Sequence, residues 1–213
     1  MADRRKLLAR KFKGDNPVLI YLPEVAFSPD AFIEKVKEKL TKTSNLVVCI
    51  SEGINDGNGT FVCELASDVG TDTFGHKMLT GSGKYLENLV KEKLGIKVRS
   101  VELNVCQRCS SSCLSATDLD EAAASGRFAV SAALDGETGK MINFIRKSDD
   151  PYILEFGTAD VNEICIKKKL FLKMITKDGS DIGDEFIAYA RPLIQGSVEV
   201  PMKDGLPYFA FRK

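Results

Sequence analysis

The sequence predicts an α/β fold built on a parallel sheet, and three observations carry that expectation. Pro17–Pro23 is a continuous apolar run, suited to a strand buried on both faces. Ser28-Pro29-Asp30 then opens a helix, with Ser28 as cap and Pro29 in the first turn. Phe32, Ile33, Val36 and Leu40 recur at helical spacing and make its buried stripe. Leu46–Ile50 is the next apolar run and the next buried strand. Strand, helix and strand make a βαβ unit, which implies parallel neighbours and a right-handed crossover.

Composition sets the broad class. The 213 residues suffice for one large domain or two small ones. Forty-four per cent hydrophobic and 28% charged residues are ordinary for a globular cytosolic protein. Thirty Lys+Arg balance thirty Asp+Glu, so charge argues for neither nucleic acid nor an acidic membrane as partner. No apolar run approaches a membrane span, and the N-terminus shows no apolar signal core. The expectation is a cytoplasmic protein whose six cysteines are reduced.

Taken in order, Met1–Lys13 holds six basic residues and one acidic one; Leu7, Leu8 and Phe12 at helical spacing read as a helix remnant rather than a basic arm. Ser51–Thr60, with three glycines, is a turn-rich loop at the carboxyl end of the second strand. Glu52 is its first charged residue, and a carboxylate there can accept two sugar hydroxyl bonds; it equally reads as a solvated loop residue. Asp72–Gly83 is another Gly-rich loop, and Lys84–Leu94 a helix with Tyr85, Leu86, Leu89 and Val90 inward. Gly81-Ser82-Gly83-Lys84 is not a phosphate-binding P-loop, because Met78 and Tyr85 stand where Gly and Ser or Thr are required. The lone histidine, His76, excludes His-His metal sites and reads as structural.

Arg99–Arg108 runs Arg-Ser-Val-Glu-Leu-Asn-Val-Cys-Gln-Arg. Ile96, Val98, Val101, Leu103 and Val105 alternate as in a strand, with a slip of phase near Arg99 and Ser100 that suggests a bulge. Arg108 would then stand at the strand's carboxyl end, where open α/β sheets bind ligands. Two guanidiniums aimed at one crevice suit a phosphate monoester, since each planar fork can donate two bonds. Both arginines also read as solvated or ion-paired surface residues. Cys106, Cys109 and Cys113 raise a metal reading, set against a strand-to-helix turn made of small residues. Beyond them, Thr117 caps a helix running to about Ala133, and Asp135–Gly139 turns into a strand, Lys140–Arg146. Asp160 or Thr158 caps a short helix through Lys169, Asp184–Gln195 is the last helix, and Pro201–Arg212 a tail with a final strand.

The stretch ending Gln107-Arg108 resembles the C-terminal half of the phosphofructokinase family. Leu22-Pro23-Glu24, Ser51-Glu52-Gly53-Ile54 and Asp72-Thr73-Phe74-Gly75-His76 strengthen the resemblance, as do Pro192–Gly196 and Asp204–Pro207. The likeness is to the bacterial pyrophosphate-dependent enzymes and runs from about Leu8 onward. It implies a three-layer, parallel-sheet phosphofructokinase-like fold. Residues 1–213 are expected to be its substrate-side portion with the N-terminal part missing, and residues 1–12 an atypical, truncated start.

The resemblance also implies roles. Arg108 would bind the 6-phosphate of fructose 6-phosphate, as would Arg99, which in the family commonly reaches into a neighbouring subunit's site. Glu52 would hold a sugar hydroxyl, Gln107 would shape the pocket, and His76 is a positioning candidate. Cys106 departs from the histidine of many ATP-dependent relatives, and such variation favours the plain turn over a metal site. The family's Gly-rich donor loop and its magnesium-binding and catalytic-base aspartates match nothing here. The expectations are therefore no catalytic residue and no metal ligand in this chain, magnesium as the family's cofactor, and no catalysis by the chain alone. A homo-oligomer or a separate N-terminal half would be its partner, and bared apolar surface would make it self-associate. The donor, pyrophosphate or ATP, stays open. A freestanding sugar-phosphate-binding or regulatory subunit, and a purely structural protein, are the alternatives.

Overall fold

A computed structural model describes residues 18–65, 81–110, 114–164 and 172–208. His76 and the loop around it, Cys113, Cys165 and the Met1–Lys13 segment lie outside the described residues, as does the Gln107 side chain. The chain divides into two compact units. One comprises the described parts of Lys13–Leu103 with Leu170–Asp184, the other those of Asn104–Lys169 with Glu185–Lys213.

The first unit is built on the expected βαβ unit. Strand β1 (Val18–Tyr21) pairs in parallel with β2 (Val47–Ile50), and helix α1 (Pro29–Leu40) connects them. Ser28 caps α1 by accepting from Ala31 N at 3.3 Å, with Pro29 at the first helical position, Asp30 in the first turn, and Lys37 and Lys39 in the last. Phe32, Ile33 and Val36 pack with Leu19, Phe27, Ile54, Val62, Leu86 and Val90 into one core. β2 is less buried than its composition predicts, with Val47 half exposed.

Helix α2 (Ser82–Leu94) starts two residues earlier than expected and ends at Gly95, whose positive φ of 64° closes the last turn through a bond from its N–H to Lys91 O. A loop around Thr176–Ser180 covers the other edge of β1, where Ser180 O accepts from Ile20 N at 2.8 Å.

The largest departure from expectation follows α2. Residues 95–103 form no strand, and Val101 is 80% exposed. Alternation of apolar residues reports faces, but a strand also needs a neighbour to bond with. Here Ser100 gives its N–H to the Glu87 side chain instead.

In the second unit, α3 (Cys106–Cys109) is a single turn, so Arg108 stands in a helical turn and not at a strand end. Helix α4 (Ala116–Leu134) is capped by Ser115, not Thr117. The Ser115 hydroxyl accepts from Asp118 N at 3.3 Å and lies 2.8 Å from Leu193 O and 2.9 Å from Gln195 O. Two cap-forming residues stand two positions apart and both reach Gln195 O, but only the Ser115 hydroxyl also meets Leu193 O and accepts from Asp118 N. Ser115→Ala should therefore cost about 1–3 kcal/mol, because the cap bond to Asp118 N and the buried hydroxyl's bond toward the 193–195 carbonyls are lost together. Urea denaturation measures it, and a loss under about 0.5 kcal/mol would remove the tertiary role.

Strand β3 (Lys140–Asp149) pairs antiparallel with β4 (Tyr152–Asp160), a strand the sequence reading did not anticipate. Arg146 lies between the rings of Tyr152 and Tyr189, 4.9 and 4.8 Å from their centroids, and donates to Tyr189 O at 2.6 Å. Helix α5 (Val161–Ile164) follows, with Asp160 accepting from Asn162 N as anticipated for its start. The expected last helix is shorter: α6 (Asp184–Ala190) gives way to a 3₁₀ turn, Pro192–Ile194, because Pro192 has no N–H for the ladder. β5 (Met202–Lys203) and β6 (Leu206–Pro207) form a minimal hairpin in the tail.

Candidate functional site

The loop after β2 is held from within. Asn55 Nδ2 donates to Pro23 O at 3.3 Å and to Gly53 O at 3.2 Å, while Asn55 O accepts from Phe27 N at 2.7 Å. Ile54 is fully buried beneath it. Glu52 is left exposed at the carboxyl end of β2, with no hydrogen bond or ion pair among the described residues. Its neighbour Asp56 is occupied: Oδ1 accepts from Asn58 N at 2.8 Å and Thr60 N at 3.1 Å, and these bonds hold the carboxyl below its usual range. Glu24, just past β1, has a buried Oε2 without a hydrogen-bond partner among the described residues.

Arg99 is exposed and has no ion-pair partner among the described residues. What fixes its surroundings is Glu87 of α2, which sequence reasoning missed. Glu87 is only 8% exposed, an unusual burial for a carboxylate. It accepts from Lys91 Nζ, from Lys84 Nζ at 2.9 Å, from Ser100 N at 2.8 Å and from Ser100 Oγ at 2.6 Å. Hydrogen bonds from Lys91, then Ser100 and Lys84, hold it well below the ordinary carboxylate range. The spacing Lys84, Glu87, Lys91 was a visible signal, but in sequence it reads as a solvated row of helix ion pairs.

The sign of that shift sets an acid dependence. A depressed folded value contributes stability in full above the unfolded value of about 4.5, and the contribution is withdrawn as pH falls beneath it. The melting-temperature gap between wild type and Glu87→Gln should be widest near neutral pH, begin to narrow below about 4.5, and close only as pH falls on through the depressed folded value. Parallel melting curves across that range would contradict it.

The remaining sequence-predicted residues divide between the units. Glu52 and Arg99 belong to the first, Gln107 and Arg108 to the second. Arg108 is exposed in α3, its backbone N–H bonded to Val105 O at 2.9 Å and its guanidinium without an ion pair among the described residues.

Other groups are ill-suited to chemistry at neutral pH. Burial pushes the Tyr21 phenol up to about 12, and burial raises the Cys63 thiol. Among the described residues no three of His, Cys, Asp and Glu are grouped as they would be to hold a metal ion. Cys106 and Cys109 are exposed and free. A groove of about 400 Å³, lined by Val18, Leu19, Lys35, Lys39, Asp178 and Asp181 among others, opens at the start of β1. That is the opposite end of the parallel pair from Glu52, and the groove contains none of the predicted residues. No helix among the described residues is long and apolar enough to cross a membrane.

Comparison with known proteins agrees with the resemblance seen in the residues. No family model matches the chain. Pyrophosphate–fructose 6-phosphate 1-phosphotransferase of Halomonas elongata is 36% identical over 204 residues, covering 95% of this chain and 48% of the relative. The protein of the same name from Methylococcus capsulatus is 35% identical over 201 residues, covering 94% and 47%. Among solved structures, pyrophosphate-dependent phosphofructokinase from Nitrosospira multiformis aligns with a TM-score of 0.74 and 30% identity, over 91% of this chain and 45% of that one.

Fold and sequence thus define an α/β chain of the phosphofructokinase type. More narrowly, the chain is similar along most of its length to pyrophosphate-dependent phosphofructokinases, and it spans about half the length of the curated relatives it matches.

Proposed function

We propose that this chain supplies the sugar-phosphate-binding residues of a cytoplasmic 6-phosphofructokinase-type reaction. In that reaction the 1-hydroxyl of fructose 6-phosphate attacks pyrophosphate, giving fructose 1,6-bisphosphate, orthophosphate and a proton. Phosphoryl transfer depends on positioning and on charge stabilisation, with magnesium neutralising the donor when bound. Arg108 and Arg99 grip the 6-phosphate, Glu52 accepts from a sugar hydroxyl, and Gln107 shapes the pocket. His76 is retained as a positioning candidate only. Catalytic base and metal ligands are not assigned to this chain.

The observation that carries the reading is that two guanidiniums have no ion-pair partner among the described residues, in a chain so closely related to phosphofructokinases. Unpaired, they are free to donate to an incoming phosphate. In the family-like arrangement Arg99 serves a neighbouring subunit, so a homo-oligomer is part of the proposal.

Calorimetric titration of fructose 6-phosphate into the full chain tests it. Saturable heat in wild type is expected, and no heat would remove the reading. Assay with pyrophosphate and with ATP, with and without a polypeptide carrying the rest of a relative's length, separates a phosphotransferase from a non-catalytic binding subunit.

A further inference from the structure

Residues 99–102 form no strand, yet two carboxylates reaching in opposite directions tie this segment to α2. From the helix, Glu87 takes both the backbone N–H and the hydroxyl of Ser100. From the segment, Glu102 Oε1 accepts from Gly81 N at 3.2 Å, beside the start of the helix. Gly83 lies against the segment: a Cβ there would meet Ser100 Cβ at 3.4 Å and Glu102 Cγ at 3.9 Å, ordinary contact distances. The two ties bracket the segment, and Arg99 stands immediately before the stronger one.

The chemistry of Glu87 suits this task. Its charge is neutralised by Lys84 and Lys91, and its oxygens are occupied by four donors. It therefore holds the backbone beside Arg99 without capturing the guanidinium, which stays free for another anion. A surface ion-pair row would not require burial or a partner 13 residues away.

We propose that Glu87 is the positioning residue for Arg99, setting the point from which that guanidinium reaches a phosphate monoester by gripping Ser100. The proposal rests on the reading that Arg99 binds the 6-phosphate. A side chain held at its base loses less freedom when it meets a ligand, so the grip acts on affinity through Arg99.

A double-mutant cycle in the full chain tests it, with fructose 6-phosphate titrated calorimetrically into wild type, Glu87→Ala, Arg99→Ala and the double variant. Glu87→Ala should weaken binding at least about 3-fold while Arg99 is present, and by less than about twofold once Arg99 is alanine. A residue that merely stabilised the fold would weaken both backgrounds equally, and that result overturns the proposal. So does Glu87→Ala binding as wild type does.

If wild type gives no heat, or Arg99→Ala is neutral, the sugar-phosphate reading of Arg99 falls and takes this inference with it. If Arg99→Ala weakens binding but the cycle shows no coupling, the inference alone falls. Should Glu87→Ala fail to melt cooperatively, Ser100→Ala replaces it in the cycle. That variant removes only the hydroxyl bond and keeps the backbone one. An Arg99-dependent loss supports the grip, and no loss or an independent loss overturns it.

Discussion

Phe32→Ala should lower the stability of the chain by about 3–5 kcal/mol. Phe32 is 2% exposed, sits one turn into α1 and faces the parallel pair. Its ring centroid lies 5.6 Å from those of both Tyr21 and Phe27, and Tyr21 and Phe27 meet edge-on at 5.1 Å. Truncation removes the ring from water-free surroundings, leaves a cavity beneath β1 and breaks two aromatic contacts together. A domain's whole stability is about 5–15 kcal/mol, so the loss is a large part of it. Urea denaturation followed by circular dichroism should show a midpoint lower by at least about 1 M. A shift below about 0.3 M would mean that this cluster does not hold the first unit together.

The second large effect is on binding. Arg108→Ala should weaken fructose 6-phosphate binding roughly 10- to 150-fold, since charge-assisted hydrogen bonds are worth about 1.5–3 kcal/mol. Arg108 is exposed and has no ion pair among the described residues, so its removal leaves no buried charge behind and stability should change little. That separation matters, because lost affinity with an unchanged melting temperature is a site effect. Arg108→Lys should recover only part of the loss, because an ammonium keeps the charge but not the planar fork. Unchanged affinity in Arg108→Ala would remove this arginine from the proposed site.

The first unit's framework was readable residue by residue. The apolar runs around Leu19 and Val48, the Ser28-Pro29 start and the Phe32, Ile33, Val36 stripe are local signals, and each element they specify is present. β4 was missed although Ile153 and Glu155 alternate with Leu154 and Phe156. Gly157 and the break at Asp150-Pro151 obscured a pattern that its partner β3 completes. The alternation from Ile96 to Val105 failed in the other direction. It looked like a strand, but its polar groups found a helix side chain instead of a ladder. For the site, residue types and the Arg99-to-Arg108 spacing were legible, and the support behind Arg99 was not.

Sequence by itself determined the Ser28-Pro29 start of α1, the apolar face of that helix, and the order in which the arginines and the glutamate stand along the chain. These are properties of neighbours along the chain. Only the tertiary structure decided that Ser115 rather than Thr117 begins α4, and that Glu87 is buried against Ser100 rather than solvated. The reason is the cost of removing polar groups from water. A hydroxyl or carboxylate can be buried only where partners distant in sequence supply its hydrogen bonds, and folding alone brings those partners together.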